Sequence, residues 1–192
     1  MNTPEFHLIN PQDGDLLALQ DNFVVNKRPG SIVVTPDRDT VYSSEPPSNP
    51  YPGQKFFDTT DGTYYYWDHI RSLWLSLHTV DLLGGNASSA TTMYARYGNV
   101  AASSTNGWEA LHNYVVVEAN FSNTVSITAD MQIRGSGANL GVAASCAAVT
   151  RGSGTGLNIA ISQGQLVSTY LTCSVGTAAN WISWACLRRK YT

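Results

Sequence analysis

Long apolar runs are missing from this 192-residue chain: nothing in it approaches the roughly twenty consecutive apolar residues that cross a bilayer, so no membrane partner is expected. Charge is equally scarce. Asp, Glu, Lys and Arg together make up 13% of the residues, and the formal net charge is −3. A phosphate-neutralising basic face needs clustered cations, so nucleic acid is not an expected partner either. Arg188-Arg189-Lys190 is the one basic run and reads as a solvated chain end. Cysteine is limited to Cys146, Cys173 and Cys186, an odd and widely spaced set that fits neither a disulfide framework nor a zinc site. These three read as small buried residues of strands. The opening Met1-Asn2-Thr3-Pro4-Glu5 has neither the basic start nor the apolar stretch of a signal peptide, so synthesis in the cytoplasm without export is expected.

Motifs that carry catalysis are also wanting. His7, His69, His78 and His112 are scattered without metal-ligand spacing. Asp58, Asp61 and Asp68 lie near one another but match no calcium loop, and turn chemistry accounts for them. Gly152-Ser153-Gly154-Thr155-Gly156 is followed by no Lys and reads as a hairpin loop, not a phosphate cradle. No Gly-x-Ser-x-Gly turn occurs, and Glu109 and Glu118 are too few to define a glycosidase pair. The expectation is a protein without enzymatic activity, cofactor or metal.

What the chain does hold is strand material. Hydrophobic residues reach 43%, and much of the remainder is Ser, Thr, Asn and Gly, a mix suited to extended β surfaces. An all-β fold in three parts is expected. Residues 1–50 contain Pro4, Pro11, Pro29, Pro36, Pro46, Pro47 and Pro50, which break up long elements and predict an extended anchoring arm and linker with short strands. Within it, residues 13–26 read as a strand, turn, strand unit. Residues 51–80 predict a small aromatic meander, with Phe56 and Phe57 leading into an Asp61-Gly62 turn, Tyr64 to Trp67 leading out, and a second turn at Asp68 to Ser72 before Trp74. Residues 81–192 predict a C-terminal antiparallel β-sandwich of jelly-roll type. Its clearest strand runs from Val125 to Arg134, where Val125, Ile127, Ala129, Met131 and Ile133 alternate with polar residues.

The residues also carry a resemblance. The segment YPGQKFFDTTDGTYYYWDHIRSLWLSLHTV, residues 51–80, resembles a module of tailed-bacteriophage fibre and virion surface proteins, in which Phe-Phe-Asp-Thr-Thr leads through Tyr-Tyr-Trp-Asp to Arg-Ser-x-Trp-Leu-Ser. DGDLLALQDNFVVNK, residues 13–27, is similar to the short repeat of such fibres, and residues 82–108 look like the start of the trimeric β-sandwich that follows the module. Leu73 stands where a basic residue is more usual, and His69-Ile70 replaces a small polar turn.

The resemblance implies a homotrimer on the virion surface: a capsid decoration or head-fibre protein, with a short tail fibre that binds host-surface glycan as the alternative. On that reading Phe6, Leu8, Ile9, Leu16, Leu17 and Phe23 of the arm hold the major capsid protein or another virion protein. Phe56, Phe57, Tyr65, Trp67, Trp74, Trp181 and Trp184 pack the hairpin module and the trimer core, and Trp108, beside Asn106-Gly107, is the candidate glycan contact.

Overall fold

The computed structural model describes residues 16–20, 23–27, 40–97, 100–103 and 105–192. The chain forms two compact units, residues 1–40 and 41–192. In the first, β1 (Leu16–Gln20) and β2 (Phe23–Lys27) pair antiparallel with Gln20 opposite Phe23, which gives the two strands of the expected unit. Phe6, Leu8 and Ile9 lie outside the described residues.

Twelve further strands make one largely antiparallel sheet, and no helix occurs among the described residues. They are β3 (Thr40–Ser43), β4 (Lys55–Asp58), β5 (Thr63–Asp68), β6 (Leu73–Asn86), β7 (Thr92–Tyr94), β8 (Arg96–Tyr97), β9 (Val100–Ala101), β10 (Trp108–Glu109), β11 (Tyr114–Gly135), β12 (Ala138–Ile161), β13 (Leu166–Val175) and β14 (Trp181–Lys190).

The meander β3–β4–β5–β6 is set by two turns of the same design. Asp58 opens the first, its Oδ1 accepting the Thr60 N–H at 2.8 Å, and Gly62 closes it at φ 71°. Asp68 opens the second, its Oδ1 accepting from the Ile70 and Arg71 N–H groups at 3.1 Å each, and Ser72 closes it at φ 53°. A carboxylate that satisfies the turn amides is the Asx mechanism that makes Asp a turn former. β6 then continues without interruption past residues 80 and 81, so the boundary expected there falls inside a strand. Its first residues pair with β5, and residues 75–86 pair with β14. The linker expected before residue 51 likewise contains β3, which sits at the sheet edge beside β4.

The second structural theme is one long ribbon. β11 and β12 are joined through Ser136 and Gly137, both at positive φ (49° and 86°), as a two-residue hairpin between strands of right-handed twist requires. Near Asn123 the ribbon bends. Tyr114–Ser122 pair with β14, whereas Thr128–Gly135 pair with β13. The Asn123 side chain holds the bend, its Oδ1 accepting the Ala179 N–H at 2.8 Å and its Nδ2 donating to the Val125 carbonyl at 2.9 Å.

The bend explains the glycine run. Residues 152–156, expected as a hairpin loop, instead lie inside β12, with Gly152 opposite Phe121 and Gly154 opposite Ala119. A Cβ on Gly154 would collide with the Ala143 carbonyl of the same strand, and one on Gly152 with the Phe121 ring and the Ser145 carbonyl. Glycine therefore serves close approach here and not reversal of direction. Gly154→Ala is expected to cost about 2–3 kcal/mol by overpacking, whereas a surface loop would accept it, and the shift in urea midpoint distinguishes the two.

The main core lies under this ribbon and is built from Phe121, Ile127, Met131, Ile133, Ile161, Leu171, Leu187 and Trp181, among others. The expected alternation holds for Ile127, Ala129, Met131 and Ile133, all buried, but Val125 at the bend is 42% exposed. A second cluster, Phe56, Tyr65 and Trp74 with Trp67 and Tyr191 packed on it, lies under the meander. Cys146 and Cys186 are buried and Cys173 half-buried, each unpaired in a strand. Burial pushes the Cys173 and Cys186 thiols up.

Candidate functional site

Two places collect unusual side chains. The first is the seam where the chain's last residues meet the meander. Phe56 touches three rings at once: Tyr65 at 6.0 Å, Trp74 at 5.7 Å and Tyr191 at 5.6 Å between centroids. Arg188 and Arg189, expected to be a solvated end, belong to β14 and grip the meander instead. Arg188 donates to the Ser76 and Leu77 carbonyls and lies 5.1 Å over the Tyr66 ring. Arg189 pairs with Asp61 at 2.6 Å and donates to the Thr63 hydroxyl. The reason is register: Arg188 falls opposite Thr79, which carries it over Tyr66 of β5 and lets Arg189 reach the β4–β5 turn.

The electrostatics of this seam follow from the same contacts. Burial pushes the Tyr65 phenol up to about 12, with the nearby Asp61 charge acting in the same direction. Burial alone would raise the Asp61 carboxyl too, but hydrogen bonds from Thr63 and the Arg189 guanidinium outweigh it and hold the group below its ordinary value. A folded-state pKa that is depressed contributes stability above the unfolded value, and this contribution is lost as pH falls through the folded value. Asp61→Asn is expected to flatten the fall in melting temperature between about pH 4 and pH 2 while changing stability at pH 7 by less than about 1 kcal/mol, because the pair is partly solvated. Thermal melts of both proteins across that range measure it.

The second place is an open cleft of about 410 Å³ bordered by Asp81, Leu82, Leu83, Ala102, Asn106, Gly107 and Trp108. β6 supplies one wall. The other is the turn before β10, where the Ser103 N–H donates to the Asn106 carbonyl at 2.8 Å and the Thr105 N–H to the Ser103 hydroxyl at 3.2 Å. Gly107 has no room for a side chain, since a Cβ there would sit 2.6 Å from the Val167 carbonyl. Its absence lets β10 lie against β13 and brings Trp108 to the rim, opposite Val167. Trp108 packs edge-on against Tyr114 at 5.3 Å. Asp81 is fixed from the neighbouring strand by Trp184, whose Nε1–H donates to its Oδ1 at 3.2 Å.

The residues singled out from sequence thus separate. Phe56, Tyr65 and Trp74 are buried in one cluster with Trp67 packed against it, and the Phe57 ring lies tilted against Tyr64 at 4.6 Å on the meander. Trp181 is 1% exposed, buried by its own chain in the main core. Trp184 is half-buried and belongs to the cleft region. Leu16, Leu17 and Phe23 lie in β1 and β2, in the other unit. Asp81 and Asn106 escaped the sequence reading because only the pairing of β6 with β14, far along the chain, gives Asp81 a partner. Among the described residues no group of three or more His, Cys, Asp or Glu is placed to hold a metal. Comparison with known family models, with curated proteins and with solved structures returns no match.

Proposed function

We propose that this chain is a structural protein of a tailed-bacteriophage particle, a capsid decoration or head-fibre protein that works mechanically and not by catalysis. The observation that carries the reading is the module of residues 51–80, whose sequence resembles that of phage fibre proteins and whose fold is a meander continuous through β6 with a larger β unit. In this reading the arm of residues 1–50 is the anchor, and Phe6, Leu8, Ile9, Leu16, Leu17 and Phe23 bind the major capsid protein or another virion protein. Residues 81–192 form a jelly-roll-like sandwich that trimerises. Three linked anchors then hold far more tightly than one, by effective concentration.

Large apolar side chains left on the surface suit subunit contacts. Val149 and Val175, 47% and 65% exposed, lie opposite Ile127 and Thr128 at the ribbon's bend, close to the exposed Val125. Native mass spectrometry of the full chain is expected to give three times 20.8 kDa, and the protein is expected to co-sediment with empty capsids. Leu17→Asp with Phe23→Asp is expected to abolish co-sedimentation and leave the trimer intact. A monomer, or capsid binding that ignores both substitutions, contradicts the proposal.

The cleft at Trp108 favours a second reading, a short tail fibre or other receptor-binding protein that presents this face to host-surface glycan. An aromatic side chain beside a carboxylate and an amide is the composition of small-molecule sites that need both apolar contact and oriented polar groups.

A further inference from the structure

The geometry points to the cleft between β6 and the turn before β10 as a binding site for one neutral pyranose residue of a glycan, taken up by Trp108, Leu83, Asp81 and Asn106. The inference rests on the receptor-binding reading and gives it a place and a ligand class.

A pyranose presents carbon–hydrogen faces that are apolar and a rim of hydroxyls that must be hydrogen-bonded if water is removed. The cleft offers the complement of both. Trp108 and Leu83 form its apolar part, and Leu83 is 61% exposed, a large aliphatic side chain held toward solvent on a strand. Asp81 and Asn106 form its polar part. The Asp81 carboxylate is oriented by Trp184 through Oδ1, and among the described residues Oδ2 has no hydrogen-bond partner. Hydrogen bonds to a carboxylate are about twice as strong as those between neutral groups, which suits a weak hydroxyl donor.

Size and charge narrow the ligand. A volume of about 410 Å³ lies in the small-molecule range and accommodates a sugar residue at the end of a chain. Among the described residues that border the cleft there is no Lys or Arg, and the one charged side chain is acidic. Phosphate, sialic acid and uronic acids therefore meet like charge without a counter-cation and are disfavoured. Two of the four side chains are held in ladders: Asp81 lies opposite Cys186 in the β6–β14 ladder, and Trp108 opposite Val167 in the β10–β13 ladder. Such placement keeps the two halves of the site in register.

The test uses the full chain and saturation-transfer NMR with methyl β-D-galactopyranoside, methyl β-D-glucopyranoside, methyl α-D-mannopyranoside and sialyllactose, beside a glycan array. At least one neutral glycoside is expected to bind with a dissociation constant on the order of millimolar, and sialyllactose is not. Asp81→Asn keeps the shape and is expected to weaken binding about tenfold. Leu83→Arg, at an exposed position, is expected to abolish it with an unchanged melting temperature. Trp184→Phe, which removes only the donor that positions Asp81, is expected to weaken binding about threefold. Neutral glycans that bind equally well to the wild type and to both Asp81→Asn and Leu83→Arg would move the site elsewhere and leave the receptor-binding reading standing. Binding of anionic glycans alone overturns the site. A wild-type chain that binds none of these probes and nothing on the array overturns the site and that reading together.

Discussion

Arg71→Met is expected to destabilise the unit of residues 41–192 by about 3–5 kcal/mol, one of the two largest losses from any single change considered for this chain. The guanidinium is 9% exposed and ion-paired with Asp68, itself 7% exposed. Its Nε donates to the Leu157 carbonyl and its Nη2 to the Val117 carbonyl, so one side chain ties the second meander turn to both β11 and β12. Methionine fills similar volume but leaves a carboxylate and two carbonyls without that donor, and the cost of stranding buried partners exceeds the modest net value of the pair itself. Arg71→Lys keeps the charge and loses the planar fork. The three acceptors are met by three different guanidinium nitrogens, which one ammonium nitrogen cannot replace, so about 1–3 kcal/mol is still lost. Urea unfolding followed by tryptophan fluorescence measures both. A loss below about 1 kcal/mol for Arg71→Met would mean that the meander is not clamped to the ribbon.

Phe56→Ala is expected to cost a similar 3–5 kcal/mol, the range for emptying an aromatic site in a core. Phe56 is fully buried, and its ring is shared by Tyr65, Trp74 and Tyr191, so truncation removes the centre of the cluster and not one pairwise contact. Tyr65 and Tyr191 also touch each other edge-on at 5.4 Å. The cavity cannot close by moving Tyr191 alone, because its N–H is bound to the Trp74 carbonyl. Phe56→Leu fills part of the space and is expected to cost under about 2 kcal/mol. The same denaturation series measures these, and a Phe56→Ala loss under about 1 kcal/mol would reduce the module to a surface hairpin.

These two residues also show what the sequence makes legible. The meander is written locally. Each turn opens with an aspartate and closes with a residue at positive φ, and the aromatic residues between them alternate across the pleat, so residues 55–76 can be placed without knowing anything else in the chain. The strand from Ile127 to Ile133 is legible for the same reason. Arg71 is not. Two of its partners lie 46 and 86 residues away, and a lone arginine in a turn otherwise reads as solvated.

The glycine run marks the same limit. Gly152 and Gly154 carry a signal that stands equally for reversal and for close approach, and only the fold of β12 onto itself decides between them. Arg188 and Arg189 are hidden because their partners, Ser76, Leu77, Asp61 and Thr63, lie 111 or more residues away. The cleft is the least legible feature. Trp108 stands out locally, beside Asn106-Gly107, but Asp81 does not, because the two come together only through two different ladders.

Gold-labelled antibody imaging of intact phage particles tests the central claim most directly, because the claim is about place. Label spread over the head is the predicted result. Label confined to the tail would favour the receptor-binding reading over decoration, and particles that carry no label would contradict the assignment to the virion.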